Sequence, residues 1–143
     1  MKKLIIFFAI VIISISGITY LYLVGQSNDN AIKKHNVTFE NYYQQEVYGQ
    51  EIATIINKAV DSNQKNNVLK DDNGKYIENE TNSIKISIKM LDNDNIYAME
   101  TIYNNDVSEF IKYYSQIKFK CTDIQYHEST NMVKSLFFEQ VSV

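Results

Sequence analysis

The chain has 143 residues, one domain's worth once a membrane-length segment is set aside, and its 14 Lys against 17 acids leave a net charge of −3. It has no Arg, Pro or Trp and a single Cys, which excludes an internal disulfide framework and a multi-cysteine zinc site. An acidic chain without arginine lacks the basic face that nucleic-acid binding requires, so no nucleic-acid partner is expected.

From Leu4 to Val24 there are 21 residues without a charge. A transmembrane helix needs about 20 mostly apolar residues to cross a hydrocarbon core of about 30 Å. Lys2 and Lys3 precede the segment, and Tyr20 and Tyr22 stand near its far end, where aromatic rings favour the membrane interface. A cleaved signal peptide is the alternative, with Ser14-Ile15-Ser16 as a small-x-small site, but the apolar run continues past it to Val24. Residues 1–24 are therefore expected to be an uncleaved anchor in the bilayer. Lys2 and Lys3 set the N-terminus on the cytoplasmic side and the remainder outside.

Residues 25–30 (GQSNDN) read as a polar hinge, and residues 31–143 as an extracytoplasmic α+β domain. A helical pattern runs from about Ala31 to Asn63, with Ile32, Phe39, Tyr42, Ile52, Ile56, Ala59 and Val60 on one stripe. Gly49 interrupts it and marks a kink or a close backbone contact. Asn73-Gly74, between Val68-Leu69 and Tyr76-Ile77, predicts a hairpin turn.

Ser83 to Met90 then alternates strictly, placing Ile84, Ile86, Ile88 and Met90 on one face and Ser83, Lys85, Ser87 and Lys89 on the other. This predicts a half-buried strand, with Ile96 to Tyr103 as its return. Asp106 opens a short helix as its cap, with Glu109 three residues on, and Val107, Phe110, Ile111 and Tyr114 form its apolar stripe. Two closing strands, Ile117 to Tyr126 and Met132 to Val141, flank a loop at His127 to Asn131. A parity change in the first of them predicts a bulge near Thr122-Asp123. The expected fold is a long amphipathic helix and one short helix on an antiparallel sheet of about four to five strands.

Convergent chemistry is sparse in this sequence. His35 reads as an interfacial or packed helix residue, His127 as a loop residue beside Glu128, and Cys121 as a small hydrophobe on a strand face. Asp92 and Asp94, with Asn93 and Asn95, offer oxygen ligands to Ca²⁺. Asp and Asn are equally the residues a turn selects for backbone reasons, and the EF-hand spacing is missing. No catalytic or cofactor-binding residue is expected, and no cofactor. Tyrosine is the unusual feature: Phe39, Tyr42, Tyr43 and Tyr48 gather on the long helix, and amphipathic rings of this kind suit protein interfaces.

An apolar N-terminal helix that continues as an amphipathic helix and packs on an antiparallel sheet resembles the type IV pilin-like proteins. The first 28 residues hold no Asp or Glu, so that family's processing motif is not carried over. The tail from Lys118-Phe119-Lys120-Cys121 to Leu136-Phe137-Phe138-Glu139 resembles uncharacterised clostridial-type membrane proteins. The expectation is a non-enzymatic structural or interaction component of the bacterial cell envelope, with a protein partner or self-association. A small-ligand or ion-binding module outside the membrane, and a small cell-envelope hydrolase, are the alternatives.

Overall fold

The computed structural model describes residues 2–91 and 95–142. Helix α1 runs Lys2–Glu40, and the chain divides into two compact units at Lys34/His35.

The first unit is helical throughout. Its 21 uncharged residues rise about 1.5 Å each and so extend about 32 Å, the depth of a hydrocarbon core. The helix is long and apolar enough to cross a membrane. Its few polar side chains are satisfied internally: the hydroxyls of Ser14, Ser16 and Thr19 donate to the carbonyls of Ile10, Ile12 and Ile15 at 2.9, 2.8 and 2.9 Å. Backbone back-bonding of this kind lets hydroxyls reside in an apolar segment at little cost. Residues 25–30, expected as a hinge, are helical. Without Pro, and with no tertiary partner demanding a turn, the i to i−4 ladder simply continues.

The second unit is α+β. Where one helix was expected from Ala31 to Asn63, the chain breaks after Glu40 and turns through Gln44, at φ 60°. It adds strand β1 (Glu46–Tyr48) and resumes as α2 (Gly49–Lys65). The break is held by tertiary bonds. Gln44 N–H donates to the Cys121 carbonyl at 2.9 Å, and Cys121 N–H to the Gln45 carbonyl at 3.2 Å. Gly49 is the first residue of α2, not a kink. A Cβ there would stand 2.6 Å from the Tyr114 carbonyl carbon, so only glycine fits this close approach. Glu51 closes the helix start by accepting from Tyr48 N–H at 3.0 Å.

Four further strands and two helices follow among the described residues: β2 (Lys85–Lys89), β3 (Ile96–Ala98), α3 (Met99–Asn104), α4 (Val107–Tyr114), then β4 (Lys118–Tyr126) and β5 (Val133–Gln140). The sheet order is β1-β4-β5-β2-β3. It is mixed, not wholly antiparallel, because β2 lies parallel to β5 over Lys85–Lys89 and Ser135–Glu139. The expected return strand ends at Ala98. Beyond it the alternation lapses, and Met99 and Ile102, spaced for a helix, are buried in α3. Ser83 precedes β2 and is buried rather than outward-facing. Asn73-Gly74 makes its turn, with Gly74 at φ 76° and Asp71 Oδ1 accepting from Asn73 and Lys75 N–H, both at 2.9 Å. The flanking segments form a single bridge, Lys70 to Tyr76, in place of a full hairpin.

One sheet face carries the core. Ile84, Ile86, Ile88, Leu136, Phe138 and Phe119 are buried there against Ile52, Ile55, Ile56, Ala59 and Val60 of α2. Each such side chain contributes about 1.5–3 kcal/mol when fully removed from water. The bulge falls between Cys121 and Asp123, as the parity change predicts. It brings Ile124 back to the core face opposite Leu136. Asp106 caps α4 by accepting from Ser108 N–H at 2.9 Å.

Candidate functional site

Two places in the second unit gather side chains with something to offer a partner. The first is the β1 side of the sheet. Val47 points into the core, so its neighbour Tyr48 points out, 47% exposed, opposite Lys118. Tyr43 bridges Cys121, further along β4, and is 40% exposed. Tyr126, the last residue of β4 and 42% exposed, neighbours Tyr43; its phenol is held above its ordinary pKa by partial burial and by its hydrogen bond to the Glu40 carboxylate. Lys118 Nζ lies 6.0 Å from the Tyr48 ring centroid, at the outer limit of a cation–π contact.

The four residues expected on one aromatic surface thus divide. Tyr43 and Tyr48 are exposed. Tyr42 is half-buried, its hydroxyl accepting from Lys58 Nζ at 3.4 Å. Phe39 is a core residue, 1% exposed, with its ring 5.0 Å from that of His35, and it contributes no open surface. A helical stripe identifies the side that packs, so the apolar member of the group is the one buried. Tyr126 was missed because its partners, Glu40 and Tyr43, lie more than eighty positions earlier in the chain. Asp92 and Asp94, the Ca²⁺ candidates, lie outside the described residues. Among the described residues no group of three or more His, Cys, Asp or Glu converges as a ligand set.

The second place is the loop 127–133. His127 lies in the loop, as expected, but faces inward. It is 2% exposed, and its Nε2 stands 2.7 Å from the Ser83 carbonyl. His35, in the last turns of α1, places Nε2 2.9 Å from the Val133 carbonyl. Beside it Asn36 grips the same loop twice, donating to the Asn131 carbonyl at 2.8 Å and accepting from Val133 N–H at 2.9 Å. On the loop's other side Ser129 donates to the Glu80 carbonyl, and Thr130 to the Thr81 carbonyl at 2.6 Å. Burial holds the His35 pKa below its ordinary value, against the pull of its Val133 bond, and charge on His127 lowers it further.

An open groove of about 430 Å³ lies over this loop, lined by Glu78, Glu80, His127, Glu128 and Lys134 among others. Glu78 bridges Lys85 and Lys134 at 3.1 and 3.2 Å, and the Lys85 bond lowers its pKa. Cys121 is fully buried and burial pushes its thiol up to about 11, so at neutral pH it is a protonated, unreactive packing residue.

No protein family, curated protein or solved structure matches the chain.

Proposed function

We propose that this chain is a single-pass membrane protein whose outward-facing α+β domain works by contact with a protein partner or a second copy, not by catalysis. Leu4–Val24 is the bilayer-spanning segment in this reading. Lys2 and Lys3 hold the N-terminus on the cytoplasmic side, and the remainder of the chain carries 12 Lys against 17 acids outside. The observation that carries the contact reading is the exposure of Tyr48, Tyr43 and Tyr126, each 40–47% exposed, with Tyr43 and Tyr126 neighbours. Rings of this kind bury large areas with few rotatable bonds, and clusters of them act as anchors when a partner excludes water.

The test pairs affinity capture from detergent-solubilised membranes with a melting curve on the same preparation. Tyr43→Ala with Tyr48→Ala is expected to keep the melting temperature close to wild type and to lose co-purifying protein or self-association. A large fall in melting temperature, or unchanged capture, would count against the reading. The anchor is tested separately: the protein is expected to resist alkaline carbonate extraction and to keep residues 1–24, and a mature N-terminus near Gly17 would overturn it.

A further inference from the structure

We propose that His35 and His127 latch the 127–133 loop and that acid weakens the latch, protonation of His35 loosening the last turns of α1, His35 to Glu40, from that loop. A carbonyl oxygen only accepts, so the Nε2 that faces Val133 O or Ser83 O carries the ring's hydrogen. Each neutral ring then keeps its lone pair on Nδ1, and that is where an added proton goes. The proton brings a charge to a ring lying largely out of water, which costs free energy unless a counter-charge meets it.

The charged groups around the pair are few and mostly engaged. Lys34 and Glu40 stand on α1 itself, and Glu40 accepts from the Tyr126 hydroxyl. Lys134 on β5 and Glu78 ahead of β2 are paired with each other. Glu80 and Glu128 line the groove beside His127 and can answer a charge there, but the nearest charge acting on His35 is His127 itself, of like sign. A charge on His127 therefore opposes protonation of His35.

What they hold is specific. The 127–133 loop is clamped between α1, through His35 and Asn36, and the 79–83 segment, through His127, Ser129 and Thr130. One histidine sits on each side of the clamp. The sign of the pH dependence follows from linkage. Well above the ordinary histidine pKa of about 6.5 the His35 ring is neutral, folded or not. As the pH falls below that, an unfolded chain takes up the proton first while the half-buried His35 resists, so stability is lost on acidification.

The experiment uses the full chain in detergent micelles at pH 7.5 and 5.5. The wild type is expected to melt lower at pH 5.5, by about 4–8 °C for each kcal/mol of linkage. Backbone amides of 35–40 and 128–133 are expected to exchange faster at pH 5.5, after correction for intrinsic rates. His35→Gln with His127→Gln keeps a donor at each Nε position and removes both titrations, so its melting difference between the two pH values is expected to shrink. An equal difference in the double variant, or unchanged exchange at 35–40, would overturn the latch. Should that variant fail to fold, the two imidazole proton resonances of the wild type decide the matter. His35 titrating below the ordinary histidine range supports the latch, and His35 titrating at the ordinary value overturns it.

Discussion

Two isoleucine-rich helical stretches in this chain have opposite fates. In α1, Ile13 and Leu21 stand 71% and 70% exposed, and the apolar side chains from Leu4 to Val24 point to every side. In α2, Ile52, Ile55 and Ile56 are each 0% exposed, and the opposite face carries Gln50, Glu51, Thr54 and Lys58. The amount of isoleucine does not distinguish them. Its angular distribution does: an apolar cylinder has no face left for water and asks for a lipid solvent, whereas an apolar stripe is satisfied by a sheet.

Substitutions of the same kind should therefore act through different physics in the two stretches. Ile10→Asp with Ile13→Asp should cost about 2.5–3.5 kcal/mol per acid at mid-span, enough to release the chain from the membrane fraction while the sheet domain keeps its melting transition. Ile86→Asp places a carboxylate on the buried sheet face and should destabilise the domain by about 3–5 kcal/mol, read by denaturant unfolding, with membrane association unchanged. Were either variant to produce the other's phenotype, the contrast would fail.

A sharper probe is Asn63, the one buried amide on the core face of α2. Its Nδ2 donates to the Ile84 carbonyl and its Oδ1 accepts from Ile84 N–H, both at 2.8 Å. Asn63→Ala strands two buried backbone groups and should cost about 2–4 kcal/mol, more than its polar appearance at a helix end suggests. Smallest is Lys85→Asp on the open sheet face. It removes an exposed ion pair with Glu78 at 3.1 Å, and the unfolding midpoint should move by no more than about 1 kcal/mol.

These residues also mark how far local pattern carries. The alternation at Ile84, Ile86 and Ile88, the Asp106 cap of α4 and the bulge after Cys121 are properties of a few consecutive residues, and all three were readable before any fold was known. Asn63 was not, because its meaning depends on Ile84 twenty-one positions away, and in isolation it looks like a helix terminus. The break between α1 and α2 is similar: apolar spacing continues across it, and the turn at Gln44 exists because Cys121 accepts its N–H. Of the candidate surface, the exposure of Tyr43 and Tyr48 was legible from their amphipathic character. The burial of Phe39, the seclusion of His127 behind Ser83 and the presence of Tyr126 beside Tyr43 follow from strand order, which periodicity does not encode.

The strand order has a consequence for biosynthesis. β5 sits in the middle of the sheet, flanked by β4 and β2, and its parallel pairing with β2 joins residues fifty positions apart. It is also the last of the five strands to leave the ribosome. Until Val133–Gln140 has been made, β2-β3 and β1-β4 are two separate ribbons with no shared ladder, each too small to be stable in water. The core face of Ile84, Ile86 and Ile88 stays uncovered on one side throughout that interval. The domain therefore cannot assemble progressively as it is synthesised and must close in one late event around its final strand, the stage at which a chaperone would find the most apolar surface to hold.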